Sequence, residues 1–267
     1  MVAAAKLHRH VGRTRAARFL AEGPNLVEAA LRRGLVGEVF ATEDALHRFG
    51  AMLDGAPVYV VTERAAKALS DTVTPVGLVA VCSLPEVRLT DVLATNPRLM
   101  LVAVGISEPG NAGTLIRLAD AMGADAVVLA GHSVDPYNGK CLRASAGSIF
   151  AIPVLEVTDT ADLIVVLQGA GVRVLATTLD GEVSLDNPEL AADLATPTAW
   201  LFGPEAHGLP SDVAALADAR VHIPMRGGAE SLNVAAAAAI CLYQSARASS
   251  REQSAQARLQ QKSPDTP

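Results

Sequence analysis

The sequence predicts an α/β fold, on three observations. Runs that are apolar at nearly every position, such as "LMLVAVGI" and "DAVVLAG", alternate with segments of helical periodicity, the pattern of a parallel sheet covered on both faces. Half of the 267 residues are apolar and only 19% are charged, which suits a filled core and excludes disorder over most of the length. The stretch "PEVRLTDVLATNPR", residues 85 to 98, has proline near both ends and few large apolar side chains, so it reads as a link between a smaller and a larger domain. The boundaries expected on this basis are 1–91 and 92–248, followed by a tail at 249–267, rich in Ser, Gln, Lys and Pro, that is expected to be disordered. No internal repeat is visible.

In the smaller part, "PNLVEAALRRG" reads as a helix, because proline suits a first turn and glycine a helix end. "LVGEVFAT", "APVYVVT" and "PVGLVAVCSL" are rich in β-branched or aromatic residues and read as strands, separated by the helical "TEDALHRFGAML" and "ERAAKALSDTV". In the larger part, the strand "LMLVAVGI" passes through a Gly-rich turn into the helix "AGTLIRLADAMGA". The alternation continues through "DAVVLAG", a polar loop, "CLRASAGSIF", "IPVLEV", "TADLIVVLQGAG", "VRVLATTL", "TAWLFG", "SDVAALADA" and "RVHIP". It ends on the alanine helix of "IPMRGGAESLNVAAAAAICLY", residues 223 to 243.

Composition narrows the functional classes. No run approaches the roughly 18 uncharged apolar residues of a membrane span, and the basic N-terminus lacks the apolar core of a secretory signal, so a soluble cytoplasmic protein is expected. Cys82, Cys141 and Cys241 are widely separated and have no metal-ligand spacing; they read as inert thiols in a reducing compartment, and no metal is expected. The formal net charge is −6, yet residues 1–33 hold seven basic side chains, Lys6, Arg9, Arg13 and Arg15 among them, against two acidic ones. A basic end on an acidic body is either a solvated tail or one face for a polyanion.

Three strand-to-loop junctions are candidates for chemistry, since ligands bind at the carboxyl ends of strands in open parallel sheets. In "VGISEPGNAGTLIRLADAMGAD" the glycines do not form a dinucleotide fingerprint and no P-loop lysine follows. Leu115, Leu118, Ala119 and Met122 make the expected buried stripe of that helix, and Arg117 lies roughly opposite, either solvated or aimed at a site. In "AWLFGPEAHGLPSDV" a strand ends at Gly203-Pro204-Glu205, and Gly208 precedes a new helix. In the third, Ile223 ends a strand, Arg226-Gly227-Gly228 form a loop, and Ser231-Leu232-Asn233 open the alanine helix with Ser231 as a candidate N-cap.

Taken in order, these words are "N-x-G-x-x-x-R-x-A", "L-F-G-x-E-x-x-G-L" and "I-P-M-x-x-x-x-x-S-L-N-V-A-x-A". Together they resemble the three motifs of the SPOUT-class RNA 2′-O-ribose methyltransferases of the SpoU or TrmH-like subgroup, over about residues 98 to 247. Upstream, "KLHRHVGRTRAARFLAEGPNLVEAAL" and "LSDTVTPVGLVAV" look like the small α/β ribosomal-protein-like RNA-binding domain that many such enzymes carry. Ala206 departs from the pattern, which often has glycine there, and should cost little if its φ is negative. With aromatic residues at 3%, phosphate contacts and RNA shape are expected to outweigh base stacking.

The resemblance implies a parallel-sheet SPOUT domain with a deep trefoil knot, S-adenosylmethionine as methyl donor, and a homodimer. It implies that backbone groups near Gly203, Ile223 and Leu232 hold the adenosine part of the donor. Arg117 would be the central catalytic residue, as base or as orienter of phosphate and oxyanion, with Asn111, Glu205, Ser231 and Asn233 orienting it and the ribose. Arg143 and Lys140 would contact structured RNA, ribosomal RNA above transfer RNA, with salt-sensitive binding. The rivals are a base methyltransferase of the same fold and a catalytically silent RNA-binding or ribosome-assembly protein.

Overall fold

The computed structural model describes residues 2–261, with side chains described as far as Arg251; the last part of the expected tail, 262–267, lies outside the described residues. In chain order the elements begin with α1 (Val2–Ala5), α2 (His10–Ala16), β1 (Arg18–Glu22), α3 (Pro24–Arg32), β2 (Val36–Ala41), α4 (Glu43–Phe49), β3 (Val58–Val60), α5 (Glu63–Ala68) and β4 (Leu78–Ser83). They continue with α6 (Leu89–Ala94), β5 (Leu99–Val104), α7 (Pro109–Ala121), β6 (Ala126–Ala130), α8 (Gly139–Ser145), β7 (Val154–Val157), α9 (Thr160–Gly169) and β8 (Arg173–Thr177). The last are β9 (Val183–Ser184), α10 (Pro188–Asp193), β10 (Thr198–Phe202), α11 (Ser211–Ala214), β11 (Ala219–His222) and α12 (Val234–Gln261). The described chain divides into two compact units, one of residues 2–87, 108–117 and 134–151, the other of 88–107, 118–133 and 152–261.

The first unit holds a four-stranded sheet in the order β1-β4-β2-β3, with β4 antiparallel to β1 and β2, and β3 parallel to β2. Thr42 and Thr62 accept from Ala45 N–H at 3.2 Å and Ala65 N–H at 3.3 Å, satisfying first-turn donors of α4 and α5. Phe19 of β1 is fully buried, with its ring 4.9 Å from Tyr137 and 5.9 Å from Phe150. Such a side chain contributes roughly 1.5–3 kcal/mol by leaving water. The expected helix "ERAAKALSDTV" stops early at Ala68, because Ser70 and Thr72 hydroxyls and the Asp71 N–H all turn to the Glu22 carboxylate.

The second unit is a seven-stranded sheet in the order β7-β6-β5-β10-β8-β11-β9, parallel at every pairing. Every residue of β5, β6 and β10 is buried, which is why those strands read as unbroken apolar runs. Trp200, the single tryptophan, is fully buried, and its indole N–H donates to the Ser245 hydroxyl of α12 at 2.9 Å. The stretch read as a link contains α6, and α12 runs on to Gln261 through much of the segment expected to be a disordered tail. Ser, Gln and Arg do not forbid a helix once an alanine-rich turn has nucleated it.

Candidate functional site

Strands β8, β10 and β11 all end at one cavity of about 120 Å³ at the carboxyl edge of the parallel sheet. Each following loop supplies part of the wall: Thr178 and Leu179 after β8, Gly203 to Glu205 after β10, Ile223 and Met225 after β11. Ser231 and Leu232 close another side, and Val234 and Ala237 of α12 complete the lining. Gly203, Glu205, Ile223, Ser231 and Leu232, all singled out in the sequence, therefore line the same cavity.

Two glycines make this wall possible. A Cβ on Gly203 would fall inside the backbone of Gly208 and Leu209, so only glycine lets the two ends of that loop touch. Gly208 itself has φ +66°, a conformation that costs other residues about 1–2 kcal/mol. Ala206 is not among the positive-φ residues, so replacing the common glycine there carries no backbone strain.

The start of α12 differs from the sequence expectation. The helix begins at Val234, and the side chain that caps it is Asn233, whose Oδ1 accepts from Ala235 N–H at 2.9 Å. Ser231 lies ahead of this cap because the chain from 223 to 233 is still loop, and it remains part of the cavity wall. Asn233 Nδ2 donates to Glu205 Oε1 at 2.5 Å, and Val234 N–H points to the same oxygen at 3.4 Å. An anionic carboxylate at a helix N-terminus is held by both the amide and the helix dipole, so Glu205 has a defined orientation.

Asn111 and Arg117 lie on α7, Asn111 half-buried and Arg117 exposed. The buried positions of that helix are Ala112, Gly113, Leu115, Ile116 and Ala119, whereas Leu118 is only half-buried. The stripe is thus rotated toward its small residues, and Arg117 stays on the solvent side.

Among the basic residues, Lys6, Arg9 and Arg15 are exposed. Arg13 is not, and its assignment to an RNA-facing surface is corrected: it is 4% exposed, with Nη2 2.5 Å and Nε 2.7 Å from Asp135 Oδ2 and Nη1 donating to the Leu7 and His8 carbonyls. A guanidinium whose donors are already used inside the fold has little left for a phosphate. Lys140 pairs with Glu108 at 2.5 Å, and Arg143 lies 3.7 Å from Glu22, each within the first unit. The hydrogen bond from Lys140, with a second from Gly110 N–H, holds the Glu108 carboxyl below its usual range. Burial pushes the Cys82 and Cys141 thiols up to about 12 and Cys241 higher still, so all three stay protonated and inert.

Sequence reasoning passed over Thr177, Thr178, Leu179 and Met225, which complete the cavity. The available signal was position: "LATTLDG" is a third strand ending at the same sheet edge, and strand ends are where ligands bind. Glu22 and Asp135 were also missed, since an isolated acid in a loop has no pattern to read.

Comparison with known proteins agrees with this geometry. Residues 98–243 match the SpoU rRNA Methylase family, and residues 3–80 match the MRM3-like substrate binding domain. The 23S rRNA (guanosine(2553)-2′-O)-methyltransferase RlmP of Bacillus subtilis is 38% identical over 240 residues, covering 89% of this chain and 92% of the relative. Among solved structures, the AdoMet-bound rRNA methyltransferase of Sinorhizobium meliloti superposes with a TM-score of 0.79 at 32% identity, covering 92% of this chain and 93% of the other. The SpoU methyltransferase AviRb of Streptomyces viridochromogenes, in complex with the cofactor AdoMet, gives 0.77 at 29% identity, covering 94% and 97%. With more than half of its length matched by the family model and a sheet of the same architecture, the chain belongs to the SpoU rRNA methylase family.

Proposed function

We propose that the protein transfers a methyl group from S-adenosylmethionine to a ribose 2′-hydroxyl of ribosomal RNA in the cytoplasm. The observation that carries this reading is the cavity at the ends of β8, β10 and β11. Its walls are mostly apolar, with Thr177, Thr178, Ser231 and the charged Glu205 as the polar side chains in the lining, a set suited to a nucleoside. Bound S-adenosylmethionine would supply an electrophilic methyl carbon on a sulfonium, leaving as S-adenosylhomocysteine, while the proton of the attacking 2′-hydroxyl would pass to solvent water.

The chain's own groups supply alignment and electrostatics, the main demands of a direct displacement. Backbone groups at Gly203, Ile223 and Leu232 are assigned to the adenosine portion. Glu205, fixed by Asn233 and the α12 N-terminus, and the nearby Ser231 are assigned to the ribose. Arg117 and Asn111 are assigned to the RNA: a guanidinium stays protonated at neutral pH, so Arg117 steadies phosphate and developing alkoxide in preference to taking the proton. Lys6, Arg9 and Arg15, with Lys140 and Arg143, are assigned to phosphate contacts, supported by the match of residues 3–80 to a substrate-binding domain.

The reading includes the deep trefoil knot, with which the insertion of β10 between β5 and β8 is compatible. It also includes a homodimer, supported by the outer face of α12, where Tyr243 is 56% and Ile240 38% exposed. Incubation with labelled donor and ribosomal RNA, followed by mapping of alkali-resistant 2′-O-methyl sites, tests the activity. Arg117→Ala is expected to lower methylation by at least 100-fold and leave donor binding within about twofold; full activity in that variant removes the assignment.

A further inference from the structure

The cavity holds one polar group that neither the family motifs nor the roles above use. Thr178 stands one residue past the end of β8 and lines the cavity, and its hydroxyl oxygen is buried with no hydrogen-bond partner. The backbone around it is fixed, with Thr178 N–H donating to the Val221 carbonyl at 3.0 Å and the Thr177 hydroxyl donating to the Leu201 carbonyl at 2.7 Å. A side chain on so constrained a backbone could satisfy its hydroxyl at little cost if the fold alone determined it. Leaving it unmade costs stability, and nearly all buried hydroxyls in folded proteins are paired.

From this position we infer that Thr178 is a donor-binding residue whose hydroxyl hydrogen-bonds the edge of the adenine ring. The inference rests on the donor assignment above and deepens it. Beside the polar Thr177, Glu205 and Ser231, the side chains that line the cavity with Thr178 include Leu179, Phe202, Val221, Ile223 and Met225, so its largely apolar wall suits a flat ring that has polar atoms only at its rim. The charged end of a methionyl group would need charged partners, and Glu205, on a different loop, is the charged side chain in the lining. A hydroxyl is both donor and acceptor, so it can meet either a ring nitrogen or an exocyclic amine. The Thr178 hydroxyl oxygen is buried as it stands, so the proposed bond needs a rotation about χ1 that brings it to the cavity when the donor is bound.

Isothermal calorimetry with S-adenosylhomocysteine and with 5′-methylthioadenosine, together with ligand-free melting curves, tests this on Thr178→Val and Thr178→Ser. The expected result is a Kd raised about tenfold for both ligands in Thr178→Val, the worth of one hydrogen bond, with affinity recovered in Thr178→Ser. The ligand-free melting temperature of Thr178→Val should be unchanged or higher, since valine removes an unpaired polar atom without changing shape. Affinities within twofold of the parent for both ligands, with the melting temperature raised, overturn the proposal, because the hydroxyl is then only a packing fault. A loss confined to S-adenosylhomocysteine overturns the adenine assignment. Should the parent protein bind neither ligand, the donor reading itself fails, an outcome distinct from any variant effect.

Discussion

Arg13 and Asp135 carry opposite charges that a sequence count treats as surface, and the fold buries them against each other. Asp135 Oδ2 takes both Nε and Nη2 of Arg13 and also His10 Nδ1 at 2.8 Å, while its Oδ1 accepts from Tyr137 N–H at 2.7 Å. Removing one partner strands the other in a low-dielectric site, so Arg13→Ala should destabilise the protein by about 3–5 kcal/mol in denaturant titrations, with little direct effect on RNA affinity. An Arg9→Ala or Arg15→Ala exchange should do the reverse, weakening RNA binding and leaving stability within about 0.5 kcal/mol. Nothing in "HVGRTRAAR" separates Arg13 from its neighbours, because burial is decided by a partner 122 residues away. The thiols were legible, since widely spaced cysteines without ligand spacing predict inert groups. Cys82, Cys141 and Cys241 should resist a thiol reagent at pH 8 until the protein is unfolded, when all three react.

Among the elements, the long uniformly apolar strands were readable because a doubly covered parallel strand has no polar face to interrupt it. The short α6 and α10, of six residues each, were not, since so few residues show no period. The start of α12 was misplaced for a similar reason: Ser231 and Asn233 are both good caps, and the choice between them is made by Glu205, which reaches Asn233 from a loop 28 residues earlier. Ser245 contributes in another way, as acceptor for a fully buried indole N–H. Ser245→Ala should cost about 1–3 kcal/mol in equilibrium unfolding, the penalty of leaving that donor unmatched.

For the whole molecule, the net charge of −6 coexists with a basic N-terminal stretch, so RNA affinity should fall steeply between low and high salt; a flat salt dependence would contradict phosphate recognition. Acid should act partly through Glu182. Its carboxyl is pulled below the usual range, first by the Arg220 N–H at 3.0 Å, then by its own backbone N–H and, less, by the Arg220 side chain. A carboxylate favoured in the folded state adds stability that is fully present above its unfolded pKa of about 4.3 and is lost as the pH drops through the lower folded value. The melting-temperature gap between the parent and Glu182→Gln should therefore be constant near neutrality and close in acid below that range. The placement of Trp200 also gives the protein a built-in optical reporter. A lone indole sealed between the central strand and the C-terminal helix should emit to the blue of free tryptophan and shift red only when that sheet opens, so the stability of the catalytic half can be followed by fluorescence without any attached dye.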